Sequence, residues 1–195
     1  MTEDRPVDRA EFQRLDRFEM PAGFRGKPGW YVQLWWIVQA TLFAASPQFM
    51  YGWRRWLLRA FGAEVGKDVI VRPTARTQFP WKVKIGDYSW IGDDVVLYSL
   101  GPITIGANAV LSQRTYVCTG SHDPNALAFD IYAEPIVIGE QCWLATDVFV
   151  GPGVTIGRGT LVGARSSVYG DLGAGLVAVG NPARVRGERN GGPQP

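Results

Sequence analysis

The residues best suited to chemistry lie in the run Thr119-Gly-Ser-His-Asp123. His122 is the only histidine among 195 residues. A free imidazole titrates near neutrality, so one placed beside a reacting group can take or return a proton at physiological pH. Asp123 follows it directly, and could orient the ring through a hydrogen bond or simply cap a turn. A metal role fits poorly, because Cys118 and Cys142 are the only thiols and two cysteines with one histidine make an inadequate zinc set. No metal is expected. A lone histidine is ordinarily a bland surface residue, and what singles out His122 is where it falls in the chain's repeat.

From Ile138 to Val168 an aliphatic residue recurs every six positions, at Ile138, Leu144, Val150, Ile156, Val162 and Val168. Neither the helical nor the strand period keeps one face apolar at that spacing unless the chain turns between hits. Small residues, Gly139, Ala145, Gly151, Gly157 and Gly163, follow the aliphatic positions directly, as a tight bend or a positive φ would require. The economical solution is a parallel β-helix of hexapeptides, each giving a short flat strand and a corner, with the aliphatic side chains stacked inward. Upstream, Val65 and Val71 open the pattern, Phe79, Ile85, Ile91 and Leu97 continue it in a new register, and Ile105, Leu111 and Val117 in a third. The two-residue shifts near Thr77 and Leu100 read as corner insertions, and the whole amounts to roughly five coils. A doubly wound α/β domain is excluded, since the strand-like pieces leave no room for the crossover helices that parallel strands otherwise need.

The period fails once. Val117 and Ile138 lie 21 positions apart where the repeat allows six, so about fifteen residues between Cys118 and Val137 are extruded as a loop. Long excursions from a rigid scaffold are where function concentrates, and His122 stands at the mouth of this one.

The remaining chain frames that solenoid. A hydrophobic content of 46% with 24 glycines supports one core rich in turns. Net charge +2 is too mild for a nucleic-acid partner, although it tolerates an anionic ligand or membrane surface. The two cysteines in a chain without a secretory leader read as free thiols in a reducing cytoplasm. Met1 to about Gly23 is densely charged and expected to be loosely ordered, with helical potential only over Arg9 to Phe18. Trp30 to Trp53 holds no charged residue, is flanked by Arg25, Lys27, Arg54 and Arg55, and reads as a hydrophobic helix broken near Pro47. Three roles compete for it: packing on protein, an interfacial membrane anchor, and a true span, for which it is short. Arg54 to Phe61 reads as a second short helix ended by Gly62. The expected organisation is thus a charged tail with hydrophobic and basic helices over 1–64, a β-helix over 65–182 with an inserted loop at about 118–137, and a C-terminal tail over 183–195.

The units Ile85-Gly-Asp, Ile91-Gly-Asp, Ile105-Gly-Ala, Ile138-Gly-Glu and Pro152-Gly-Val-Thr-Ile-Gly157, the Thr119-to-Asp123 run and the closing Gly180-Asn-Pro-Ala-Arg184 resemble the hexapeptide-repeat O-acetyltransferases. The Trp/Gln-rich stretch Val32 to Ser46, with Leu57-Leu-Arg-Ala-Phe-Gly-Ala63, Phe79-Pro-Trp81 and Cys142-Trp-Leu-Ala-Thr-Asp147, is similar to the colanic acid biosynthesis acetyltransferases, over about Pro21 to Arg189. The resemblance implies an all-β, left-handed parallel β-helix with an N-terminal hydrophobic helical segment, an exception to the right-handed crossover rule. It further implies a homotrimer with sites between neighbouring subunits and acetyl-CoA as donor. His122 matches the family's catalytic histidine, a general base that takes the proton of a sugar hydroxyl as it attacks the thioester. Trp143 matches an aromatic beside the pantetheine arm, Thr146, Gly163 and Ala164 fall on donor-binding corners, and Arg184, with Arg186 close by, matches a residue that meets CoA phosphates. Where many relatives carry Thr-Lys this chain has Tyr169-Gly170, so a phosphate contact from that corner is not carried over. The implied acceptor is an exopolysaccharide repeat unit, which when lipid-linked would bring the enzyme from the cytoplasm to the inner face of the membrane. The alternatives are a catalytically silent scaffold for polysaccharide assembly and an acetyltransferase for an amino sugar or serine. A γ-class carbonic anhydrase is excluded, because that solenoid supplies several histidines to zinc.

Overall fold

The computed structural model describes residues 11–191; the first ten residues of the expected charged tail and the last four of the C-terminal tail lie outside them. The chain forms the all-β, left-handed parallel β-helix, in about six turns, with the α-helices of the described residues confined to the N-terminal segment. Three parallel sheets make the walls of a triangular prism. Sheet A holds Glu64–Val65, Val83–Ile85, Ile103–Ile105, Ile136–Ile138 and Thr155–Ile156. Sheet B holds Ile70–Val71, Trp90–Ile91, Val110–Leu111, Trp143–Leu144, Leu161–Val162 and Leu176–Val179. Sheet C holds Arg76–Thr77, Val96–Tyr98, Tyr116–Cys118, Phe149–Val150 and Ser167–Val168.

Register converts the period into columns. Ile85, Ile105, Ile138 and Ile156 pair in succession inside sheet A, Ile91, Leu111, Leu144 and Val162 inside sheet B, and Leu97, Val117, Val150 and Val168 inside sheet C. All are buried. Two details differ from the sequence reading. Thr77, not Phe79, takes the inner position of the first coil, and Phe79 packs instead in a separate cluster with Val32 and Leu100. A further coil begins at Leu172, bridged to Ile156, and continues to Ala178, paired with Val162; the corner after Val168 is shorter than the others, so the count by sixes stops there. The expected C-terminal tail is in part a strand, Arg184–Glu188, antiparallel to Leu176–Val179.

Among the small residues after the column positions, Gly139, Gly157 and Gly163 serve close approach rather than positive φ. A Cβ built on Gly157 would lie 2.4 Å from the backbone nitrogen of Ala174 in the next coil. Left-handed backbone falls two residues later in each hexapeptide, at Gln141 (φ 59°), Asp147 (φ 61°) and Arg165 (φ 58°). Gly157→Ala should therefore cost about 1–3 kcal/mol in urea unfolding, whereas Gly187→Ala, whose added methyl meets nothing within 4 Å, should be silent.

Stacking leaves the first coil without a neighbour below it, and an open strand edge must be covered. Two helices do so, α1 (Gly29–Val38, extended by a wider turn at Gln39–Phe43) and α2 (Tyr51–Ala60). From α1, the Trp35 indole N–H donates to Thr77 O at 2.8 Å, and the Gln39 Oε1 accepts from Thr77 N at 2.6 Å. From α2, Arg54 donates to Val71 O at 2.6 Å, Arg55 to Val69 O at 2.9 Å and Arg59 to Val65 O at 2.7 Å. The Trp30-to-Trp53 segment thus packs on protein along one face, and among the described residues no helix is long and apolar enough to cross a membrane.

Candidate functional site

The extruded loop is built on two anchors. At its start Thr119 is fully buried, its hydroxyl donating to Tyr98 O at 2.8 Å and accepting from Gly101 N at 2.8 Å. Beyond it Gly120–His122 and Ile131–Ala133 form an antiparallel hairpin in which His122 faces Ile131. Ile131 and Ala133 pack against the Val32, Phe79 and Leu100 cluster, which ties the hairpin to α1 as well as to the solenoid. Gly120 is required there, since a Cβ would meet Leu100 Cδ1 at 2.5 Å.

His122 is held by one residue twice over. Its Nδ1 lies 2.7 Å from Phe129 O, and a carbonyl can only accept, so Nδ1 carries the proton and Nε2 keeps the free lone pair. The Phe129 ring stacks on the imidazole at 4.2 Å and 10°. Phe129 adopts φ 54°, a left-handed conformation that a bulky residue rarely takes and that fits a strained functional turn. Phe18, from the N-terminal arm, also tilts against the histidine, with ring centroids 5.9 Å apart. The arm is tied to the loop by Arg14 N donating to Leu127 O at 2.6 Å. Asp123 does not reach the imidazole: its Oδ1 accepts from Asn125 N at 2.8 Å, which is turn capping rather than ring orientation. Sequence reading missed Phe129 because a backbone carbonyl has no residue signature.

The five expected donor-binding residues gather on sheet B and on the edge between sheets B and C. Trp143 stands on the outer face of sheet B, 43% exposed, its indole N–H donating to Ser112 Oγ at 3.0 Å. Thr146 and Ala164 occupy successive corners, linked by Arg165 N donating to Thr146 O at 2.9 Å. Gly163 backs onto Val179, whose Cγ2 lies 2.8 Å from where a Cβ would sit, and Val179 pairs with Arg184. Arg184 is exposed, and among the described residues its guanidinium donates only to the neighbouring Ala183 O. A ladder stiffens this edge: Arg114 grips Asp147 with two hydrogen bonds of 2.6 and 2.8 Å, and Arg165 approaches the same carboxylate at 3.8 Å. The hydrogen-bonded Arg114 guanidinium holds the Asp147 carboxyl below the usual carboxylate range. Within one chain, however, His122 belongs to the edge between sheets C and A, and the donor residues to another edge.

Both cysteines are free thiols, and burial pushes each above the ordinary thiol range. Cys142 is one of the small residues inside a corner, its Sγ donating to Gly157 O at 3.1 Å. A thiol-specific disulfide reagent is expected to spare Cys142 in the folded protein and to titrate it after denaturation. Among the described residues no three His, Cys, Asp or Glu side chains come together as a metal-holding group.

No family model matches the chain. It is 62% identical over 177 residues to the colanic acid biosynthesis acetyltransferase WcaF of Escherichia coli (strain K12), covering 91% of this chain and 97% of that protein. Among solved structures it is similar to a hexapeptide-repeat acetyltransferase from Vibrio cholerae complexed with acetyl coenzyme A, at 26% identity and a TM-score of 0.75, covering 83% of this chain and 88% of that one. A galactoside acetyltransferase in complex with coenzyme A matches at 25% identity and a TM-score of 0.74, covering 88% of this chain and 85% of that one.

Proposed function

The chain belongs to the colanic acid biosynthesis acetyltransferases among the hexapeptide-repeat enzymes, and we propose that it moves an acetyl group from acetyl-CoA to a sugar hydroxyl of an exopolysaccharide repeat unit, with His122 as general base. That it is an acetyl-CoA-dependent acetyltransferase follows from its family; the acceptor and the role of His122 are the proposal. The observation that carries it is the Nδ1 to Phe129 O hydrogen bond, which leaves Nε2 as a directed base. Nε2 takes the hydroxyl proton as the acceptor oxygen bonds to the thioester carbonyl carbon. When the C–S bond breaks, the imidazolium returns that proton to the departing CoA sulfur, so the histidine ends unchanged. Phe129 O stabilises the imidazolium meanwhile, because its acceptor already faces the Nδ1 proton.

Trp143, Thr146, Gly163 and Ala164 are proposed to line the pantetheine arm, and Arg184 to meet the CoA phosphates. Since one chain carries the base and the donor groove on different edges, a neighbouring subunit completes the site in this proposal, as a trimer would. The outer faces support it. Sheet B presents Ile70, Trp90, Val110, Trp143, Leu161 and Val177 outward, an apolar column suited to a subunit contact, whereas sheet A presents Glu64, Lys84, Thr104 and Thr155 with Val137 alone apolar among them. The test is to incubate the protein with acetyl-CoA and saccharide acceptors and analyse the product by mass spectrometry. An acetyl group released by hydroxylamine is an ester and supports the proposal; a hydroxylamine-resistant amide would move the acceptor to an amino sugar, and no transfer at all would favour a scaffold.

A further inference from the structure

Residues 20–63 contain no Asp or Glu, yet carry Arg25, Lys27, Arg54, Arg55 and Arg59. Since the whole chain is only +2, the rest of it is net negative, and positive charge is segregated into the cap over the solenoid's first coil. The structure sorts those cations. Arg54 is fully buried, while Arg25, Lys27 and Arg59 are exposed. It sorts the aromatics too. Trp35 is buried against the first coil, whereas Trp30 is 69% exposed and Trp56 56%.

On α1 the exposed residues Trp30, Leu34 (44%) and Ile37 (61%) follow the four- and three-residue spacing of one helix face, opposite the buried Val32 and Trp35. That stripe continues into Leu42, 54% exposed, whose carbonyl accepts from the Trp53 indole; Trp53 in turn stacks on Trp56 at 5.1 Å. Phe49, on the turn between the helices, is 79% exposed. Soluble proteins rarely leave so many large apolar side chains together in water.

We propose that this cap docks on an anionic phospholipid surface, with α1 lying in the interface. The occupant is chosen by chemistry. An apolar stripe in a segment that itself holds no acid and exposes Arg25, Lys27 and Arg59 complements negative headgroups, although Asp68 lies 4.0 Å from Arg55; exposed tryptophans prefer the headgroup level, and a helix too short to cross lies along the surface instead. The inference does not depend on the acceptor or on His122. It gives the enzyme a fixed position beside any membrane-borne substrate.

Flotation of the full-length protein with vesicles tests it. The wild type should rise with phosphatidylcholine–phosphatidylglycerol vesicles and remain largely below with pure phosphatidylcholine, and added salt should weaken the binding. Leu34→Gln with Ile37→Gln should reduce vesicle partitioning by at least about tenfold. Arg25→Gln with Lys27→Gln, which leaves the apolar stripe intact, should reduce it by roughly fivefold per cation removed. Both double variants change exposed side chains and should keep the wild-type melting temperature and acetyl-CoA turnover with a soluble acceptor. A wild type that fails to float overturns the proposal, as does equal flotation on neutral and anionic vesicles or of both double variants. If the Leu34/Ile37 variant instead breaks the oligomer in light scattering while the wild type ignores vesicles, a second copy of the chain covers the stripe and the lipid assignment is wrong.

Discussion

Replacing His122 with alanine is expected to lower kcat for acetyl transfer by about 10²- to 10⁴-fold, the range that a positioned general base contributes. The fall should appear equally in kcat/KM for the acceptor, because the base acts on the proton only as the new C–O bond forms. KM for acetyl-CoA should change little, since none of Trp143, Thr146, Gly163, Ala164 or Arg184 is touched. The melting temperature should hold as well. The histidine sits on a hairpin anchored by Thr119, Ile131 and Ala133, so its removal empties a half-buried loop position rather than a core column. A kinetic trace within threefold of wild type would end the assignment. Asp123→Asn should be nearly silent by comparison: an asparagine Oδ1 can still accept from Asn125 N, and the carboxylate does not contact the imidazole.

Arg54→Met is expected to be the most damaging single change to the fold, at about 3–5 kcal/mol, by analogy with stripping one partner from a buried charge pair. The guanidinium has no exposed surface, and among the described residues no carboxylate pairs with it. It is satisfied by oxygens alone: Val71 O at 2.6 Å, Ser46 Oγ at 2.7 Å, Pro47 O at 2.9 Å and Gln48 O at 2.5 Å, with the Tyr51 ring 5.1 Å away. Burial pushes the guanidinium below its ordinary range, though an arginine remains charged there. Methionine would match the stem and leave the buried Val71 O unpaired, costing about 1–3 kcal/mol before relaxation, and would strip the part-buried Ser46, Pro47 and Gln48 oxygens of their shared donor. Lysine should rescue only in part, because a single ammonium lacks the forked geometry that reaches the strand edge and the Pro47 turn together. Urea unfolding checks this, and a loss below about 1 kcal/mol would show that water replaces the guanidinium. The two predictions separate cleanly, one abolishing turnover in a folded protein and the other loosening the fold around an intact hairpin.

The part of the molecule legible in advance was the part with a period. Aliphatic residues at every sixth position identify a hexapeptide solenoid, since each Ile or Val of sheet A must stack on its counterpart one coil away. The same regularity made its interruption visible, and with it the loop that presents His122. Phe79 was misplaced, and the column positions after Val168 went uncounted although they lie inside the expected 65–182 span, because a corner that gains or loses two residues shifts the count while the columns continue. Of the two reasons the sequence suggested for the small residue after each aliphatic position, a tight bend or a positive φ, the second does not hold; the distance from Gly157 to Ala174 shows that coil spacing, not backbone sign, excludes a side chain there.

What the sequence by itself determined is therefore the column, its break and the residue at the break. Tertiary structure alone decided that Phe129, rather than Asp123, orients the histidine, that Arg54 is an internal clasp while Arg25 and Lys27 face water, and that Trp35 seals a strand edge while Trp30 stays outside. Repeated side chains mark their own spacing. The carbonyls of Phe129, Thr77 and Val71 mark nothing, because every residue has one, and which of them is left open depends on where the chain stops stacking.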